Sequence, residues 1–260
     1  MRPHLVFTLS APLASFGSVA VGERRPTWNR PSKSQVIGLV AAALGIERTH
    51  EARLKALADG LGFAVRVDAA GRLAVDYHTA QSPKDASLRR RAKAVGPVRT
   101  RSDELACDDL KTILSRREFR SGILHTIALW RTVEGDPALA HIAKGLISPV
   151  FVPYAGRKAH VLMLPMSPRV VAANWIEDAF GSYDDGQPKE VADLQERLGI
   201  RRDKDRPIYC DVSAIPYDEQ AARVARLEAR RDLPEGRAKW RFGLRTEALL
   251  KPSSSGKKAS

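Results

Sequence analysis

The sequence predicts an α+β fold built on a ferredoxin-like β-α-β-β-α-β unit, and three observations lead there. Leu5 to Ser10, LVFTLS, alternates apolar and polar residues as a strand does. An almost wholly apolar helix of small residues, Val36 to Leu44, follows it. Two further strand-like runs, Phe63 to Val67 and Leu73 to Tyr77, are joined by the turn Asp68-Ala69-Ala70-Gly71.

Taken in order, Ala11 to Gly17 turns away from the first strand into a rigid, basic loop. Arg24, Arg25, Arg30 and Lys33 stand there among Pro26, Trp28 and Pro31. Ser32 or Ser34 can cap the helix that follows, accepting bonds from its free N–H groups. The positive end of the helix thus adds to the charge of the loop and attracts oxyanions. The helix is too apolar for a surface, so it is expected to be buried and to fix the loop in place. A second, amphipathic helix spans Glu51 to Leu61, ahead of the two strands.

From Gln81 to Arg101 no apolar periodicity survives. Lys84, Arg89, Arg90, Arg91, Lys93, Arg99 and Arg101 face only Asp85, which reads as a nucleic-acid-binding arm or a solvated flap. Glu118 to Arg120 and Ile123 to Trp130 read as strands, and Pro137 to Leu146 as a helix capped by Asp136. In PVFVPYAGRKAHVLML, Pro149 to Leu164, Tyr154-Ala155-Gly156 makes a tight turn before Arg157 and Lys158 and a last strand. Glycine lets the backbone approach a ligand closely, and the adjacent cations can hold phosphate. Beyond it come a helix near Glu190 to Leu198, the solvated connection Arg201 to Arg206, and a strand over Trp240 to Leu250. Residues 251–260 are a polar tail, expected to be disordered.

Composition narrows the function classes. The chain has 260 residues, 43% of them hydrophobic, and a formal net charge of +13. Such an excess favours a polyanion, with nucleic acid first and a membrane surface second. No apolar run can span a bilayer and Met1 to Gly17 lacks the layout of a signal peptide, so a cytoplasmic protein is expected. Cys107 and Cys210 form no CxxC, and the six histidines form no metal-ligand spacing, so neither a disulfide framework nor a metal site is expected. Walker, GxGxxG and GxSxG motifs are missing, so no cofactor is implied.

Together these stretches resemble CasD, the CRISPR-associated RAMP protein family of type I-E Cascade complexes. The motifs stand in that family's order. LxxxLSAPLASFG covers Leu5 to Gly17, and ERRPTWNRPSKSQVIGLVAAALGI covers Glu23 to Ile46. FAVRVD at Phe63 to Asp68 precedes DYHT at Asp76 to Thr79. PVFVPYAGRKA runs from Pro149 to Ala159, and RRDLPEGRAKWRFGLR from Arg230 to Arg245. Only residues 187–205 are longer and more charged than the family leads one to expect. The resemblance implies an RRM-like RAMP core over residues 1–165 with a flexible thumb inserted at about 79–118. A smaller β-rich part follows at 166–250. It also implies that the partners are CRISPR RNA, the Cascade backbone and large subunits, other Cascade proteins, and target DNA through the complex, with no membrane.

Two functions compete. The first is a non-catalytic subunit that caps the 5′ handle of CRISPR RNA. Arg24, Arg25, Arg30, the Ser32/Ser34 helix start and Lys33 would contact phosphates, as would Gly156, Arg157 and Lys158 from the glycine turn. Arg89, Arg90, Arg91 and Lys93 would act from the thumb. Trp28, Tyr77, His78 or Tyr154 would stack on a splayed base, the alternative for each being an ordinary packing role. No RNP1-type run occurs in the strands, so stacking on the sheet itself is not expected. The second function is a metal-independent endoribonuclease that processes the repeat RNA. It needs an acid/base pair at the first helix, and Val36 to Leu44 offers none; His50, His78 and His125 lie elsewhere. A DNA-binding regulator would need a polar recognition helix, which is missing.

Overall fold

The computed structural model describes residues 1–132, 138–236 and 241–252. Strand β1 (Arg2–Ala14) leads through three two-residue strands, β2 (Phe16–Gly17), β3 (Arg24–Arg25) and β4 (Thr27–Trp28), to helices α1 (Lys33–Ala43) and α2 (Glu51–Gly60). Strands β5 (Leu61–Ala69) and β6 (Arg72–Pro83) are followed by α3 (Asp85–Val95), α4 (Arg101–Leu105) and the long strand β7 (Leu110–Arg131). Then come α5 (Leu139–Ile147), β8 (Arg169–Ala173), α6 (Ile176–Asp185), α7 (Lys189–Arg197) and β9 (Ile208–Asp211). The described chain closes with a 3-10 turn (Val212–Ala214), α8 (Tyr217–Arg223) and the hairpin β10 (Val224–Gly236) and β11 (Arg241–Leu250).

The chain divides into two units. The first contains Met1–Phe16, Trp28–Arg72 and the residues from Arg120 onward; the second contains Gly17–Thr27 and Leu73–Phe119. The fold is mixed α and β around a large sheet, with strand order β10-β11-β9-β5-β7-β1-β8. Every pairing along that path for which a register is resolved is antiparallel. Central registers include Phe7 opposite Ile127 and Val65 opposite Ile127 on its other side.

Alternation along the strands separates two cores. Leu5, Phe7, Leu9, Phe63, Val65, Ile127 and Leu129 pack with α1, α2 and α5. Val6, Ala64, Ala128 and Trp130 pack on the opposite face against Ile176, Phe180 and Tyr183 of α6. Strand β1 is thus buried on both faces. Its polar residues on the α6 side are satisfied: Thr8 Oγ1 lies 3.0 Å from the Tyr183 hydroxyl, and Ser10 Oγ donates to the Ile123 carbonyl at 3.0 Å. Helix α1 is buried along Val36, Ile37, Leu39, Val40, Ala41 and Ala43, as its lack of a polar face demanded.

Several expectations are corrected. Leu73 to Tyr77 does lie in a strand, but β6 pairs with β7 outside the main sheet path, and the strand paired with β5 is the later half of β7. Gln81 to Arg101 is not aperiodic coil. Its Arg, Lys and Ala residues are strong helix formers and build α3 without an apolar stripe, burying only Ser87. The two strands read near Glu118 and Ile123 are one continuous strand. After the glycine turn there is no strand but a single bridge, Tyr154 to Val161, and the next strand is β8. Helix α6 was not anticipated. The cap at Asp136, Trp240, and residues 253–260 of the tail lie outside the described residues.

Candidate nucleic-acid interface

The start of α1 is built as a capping box. The Gln35 N–H donates to Ser32 Oγ at 3.2 Å, and the Ser32 N–H donates back to Gln35 Oε1 at 3.0 Å. Ser32 is therefore the cap, and the Ser34 hydroxyl sits 3.0 Å from that of Ser32. The oxyanion that this corner attracts is supplied from within the chain: the Lys33 backbone N–H donates to Asp232 Oδ2 at 3.0 Å.

Arg30 and Lys33 are drawn inward with it. Arg30 is 3% exposed and Lys33 7%. Arg30 Nε donates to Glu247 Oε2 at 3.0 Å, its Nη2 donates to Glu228 at 2.8 Å, and its guanidinium lies 3.5 Å from the Tyr209 ring centroid. Lys33 Nζ donates to Asp211 Oδ2 at 3.0 Å. Arg245 bridges Asp232, Asp211 and Glu247 at 2.6 to 3.0 Å, and Arg230 reaches Glu247 at 3.3 Å. Burial alone would lower the Arg245 pKa, but Asp232 and its neighbours raise it further above the ordinary arginine range. Burial would likewise raise the Glu228 carboxyl, yet Arg30 holds it below its usual value. The sequence placed Arg30 and Lys33 on a phosphate-facing surface. The structure makes them internal counter-charges that tie α1 to β9, β10 and β11. The acids that claim them lie some two hundred residues away in sequence, and nothing local to the basic loop announces them.

Trp28 keeps 37% of its surface open. Arg120 Nε donates to its carbonyl at 3.2 Å, and the Arg30 and Arg230 guanidinium carbons lie 5.6 and 4.6 Å from its ring.

The glycine turn joins this corner through Ser15. The Ser15 N–H donates to the Ala155 carbonyl at 3.0 Å, and Gln35 Nε2 donates to the Ser15 carbonyl at 3.2 Å. Gly156 has φ +90, and a Cβ there would stand 1.8 Å from the Ser15 oxygen, so only glycine allows the approach. Bonds from the Ala155 N–H to the His160 carbonyl and from the His160 N–H to the Arg157 carbonyl, both 2.8 Å, close the turn. Lys158 and Gly156 are exposed, and Arg157 and Tyr154 half-buried. Ser15, Gln35 and the 154–160 turn thus form one connected surface with the start of α1.

The remaining predicted residues belong to the second unit. Arg24 and Arg25 are exposed; Arg24 pairs loosely with Glu118 at 3.4 Å, and Arg25 donates to the Gly22 carbonyl. On α3, Arg89, Arg90 and Lys93 are exposed, while Arg91 donates to the Ala106 carbonyl at 3.3 Å. His78 is exposed with Nε2 3.7 Å from Asp76, beside the open ring of Tyr77.

His4 and His125 are fully buried without hydrogen-bond partners for either ring nitrogen. Burial, then the charge of Arg2, pushes His4 down to about 4; burial, then Arg120 and Arg30, pushes His125 down to about 3. Among the described residues no group of three or more His, Cys, Asp or Glu could hold a metal ion. Among them, too, no helix is long and apolar enough to cross a membrane.

Comparison with known proteins gives these features a setting. The family model described as CRISPR-associated protein (Cas_Cas5) matches residues 4–246. The CRISPR system Cascade subunit CasD of Escherichia coli (strain K12) is 29% identical over 174 residues, covering 64% of this chain and 70% of that protein. A chain of a CRISPR RNA-guided surveillance complex matches with a TM-score of 0.57 at 22% identity, covering 96% of this chain and 91% of its own. A chain from a crystal structure of a Cas protein matches with a TM-score of 0.53 at 25% identity, covering 95% of each. With a family model spanning nearly its whole length, this chain belongs to the CRISPR-associated Cas_Cas5 family and is a protein of the CasD type.

Proposed function

We propose that this chain is a non-catalytic, RNA-binding subunit of a Cascade surveillance complex, holding the 5′ handle of CRISPR RNA and meeting the backbone and large subunits. The observation that carries this reading is the surface where the glycine turn, Ser15 and the start of α1 meet. Lys158 is open there, Gly156 leaves its backbone bare, and the cations behind them are neutralised internally, so the outer ones remain for phosphate. The 29%-identical Cascade protein supplies the setting. The core would be a ferredoxin-like RAMP unit, since β8-β1-β7-β5 is the strand order of that unit with α1/α2 and α5 as its crossovers. The second unit would be its thumb, with Arg24, Arg25, Arg89, Arg90, Lys93 and His78 as further RNA contacts.

Arg30 and Lys33 leave the contact set and become the frame behind it. Trp28 and Tyr154 are the stacking candidates beside this surface. A nuclease would draw on histidines, and His4 and His125 are enclosed and held neutral, which leaves His78 with Asp76 as the pair to examine. Incubating the protein with labelled repeat-derived RNA, with and without magnesium, tests the reading. Retarded, intact RNA is expected. One discrete, metal-independent cut that disappears in His78→Ala would replace this reading with the nuclease.

A further inference from the structure

We propose that α7 and the loop after it form a docking site for a peptide segment of a protein partner, on the sheet face opposite α1. The inference rests on the reading above that this chain works inside a multi-subunit complex. It concerns the stretch, residues 187–205, whose length and charge the family resemblance left unaccounted for.

The site is a cavity of about 620 Å³ between the end of α6, α7 and residues 199–202. Gln195 lines it and is only 9% exposed, yet its side-chain amide makes no hydrogen bond among the described residues. A buried amide carries two donors and a carbonyl acceptor, and leaving them unmet costs free energy. Either a peptide group or water must therefore meet Gln195 in the cavity. Glu196 and Arg201 also line it, and neither makes an ion pair among the described residues. Asp184, at the far wall, is already matched by Arg66 at 2.8 Å, Arg202 at 3.5 Å and Arg206 at 3.4 Å.

The walls are fixed. The Gly199 N–H donates to the Glu196 carbonyl at 2.9 Å and the Ile200 N–H to the Gln195 carbonyl at 3.1 Å, closing α7 in a Schellman motif with Gly199 at φ +64. Ile200 then packs on Ala69, Leu124 and Leu164 of the sheet. The Asp203 N–H donates to the Asp68 carbonyl at 2.6 Å, and Asp203 Oδ2 accepts from the Ala70 N–H at 3.0 Å. The segment is a docked wall.

The chemistry favours protein over RNA. An unpaired acid, an unpaired base and an amide in one cavity complement a peptide, whose backbone both donates and accepts. A phosphate chain would meet the free Glu196 carboxylate. On the adjoining strip of the same helix, Leu194 and Leu198, one turn apart, are 36% and 46% exposed. Apolar anchors beside a polar pocket are what a protein interface offers.

The test uses the full chain with its CRISPR RNA and the other Cascade subunits. Two surface variants are compared with wild type: Leu194→Ser combined with Leu198→Ser, and Gln195→Ala combined with Arg201→Glu. Each should weaken capture of a protein subunit by roughly tenfold or more, with thermal stability, RNA affinity and the salt slope of RNA binding unchanged. If wild type and both variants assemble equally well, the docking site is wrong while the reading of the chain as a subunit stands. If the Gln195/Arg201 variant instead loses RNA affinity with a flatter salt slope, the cavity binds nucleic acid and the inference is overturned. A wild-type chain that captures no Cascade subunit at all overturns the functional reading and this inference together.

Discussion

Lys33 and Asp232 meet at the first turn of α1, the backbone N–H of one donating to Oδ2 of the other at 3.0 Å across 199 residues of sequence. Through this bond the C-terminal hairpin supplies the anion that a basic loop and a bare helix end demand. Asp232 also holds Arg245 by two bonds of 2.7 and 3.0 Å. Its loss would leave a buried guanidinium and a helix N–H short of partners together.

Asp232→Ala is therefore expected to cost about 3 to 5 kcal/mol, the range for removing one member of a buried ion pair. Asp232→Asn, which keeps an acceptor for Lys33, should cost less. Urea unfolding of both variants measures it. Equal, negligible losses would contradict the role assigned to the hairpin.

Gly156→Ala should be costly for a different reason. The added Cβ would stand 1.8 Å from the Ser15 oxygen at a backbone φ of +90. The strain of a left-handed non-glycine residue alone costs on the order of 1 to 3 kcal/mol, and the clash adds to it. Melting should fall and RNA binding should weaken, because the turn leaves the start of α1. Unchanged melting would mean that the turn moves freely and is no part of a built surface.

These two sites show how much the sequence carried. The apolar run Val36 to Leu44 dictated a buried helix, and the serine before it dictated the cap, because both signals are local. The glycine turn was legible for the same reason. The fates of Arg30 and Lys33 were not, since their partners are inward-facing acids on β9, β10 and β11 that only the sheet order brings near. Helix α3 was missed because it forms by propensity, with no apolar stripe for periodicity to find. The C-terminal acids had one readable sign: Arg245 and Glu247 alternate with Leu244 and Ala248 in a strand.

Acid sensitivity should come from the buried histidines. His4 and His125 titrate at about 4 and about 3 when folded and near 6.5 when unfolded. Because both folded values are depressed, the unfolded chain binds more protons between those limits. Stability is then full above the unfolded value and falls as pH drops toward 4 and 3. Between pH 7 and 5 the loss should be about 1 to 2 kcal/mol per histidine. His125→Gln should flatten the pH dependence of urea midpoints. A slope identical to wild type would show that His125 titrates normally.

The cations of α3 are expected to act on RNA and not on folding. Arg89, Arg90 and Lys93 are exposed, and the helix buries only Ser87. Replacing all three by alanine should leave the melting temperature within about a degree or two, since surface changes stay within roughly 0.5 kcal/mol. Filter binding to repeat-derived RNA should weaken, and replacing Gln81 to Arg101 with a Gly/Ser linker should impair assembly strongly. Full assembly by the linker variant would make the stretch a passive flap.

The most direct measurement is the salt dependence of binding to repeat-derived RNA for wild type and for Arg157→Ala combined with Lys158→Ala. Each lost phosphate contact should lower the slope of log affinity against log salt by about 0.7 for a single strand. The double variant should therefore bind more weakly with a slope smaller by about 1.4, keep its melting temperature, and leave the RNA intact on a gel, as wild type does. Unchanged affinity and slope, or a specific cut in the wild-type reaction, would contradict a non-catalytic RNA surface at the glycine turn.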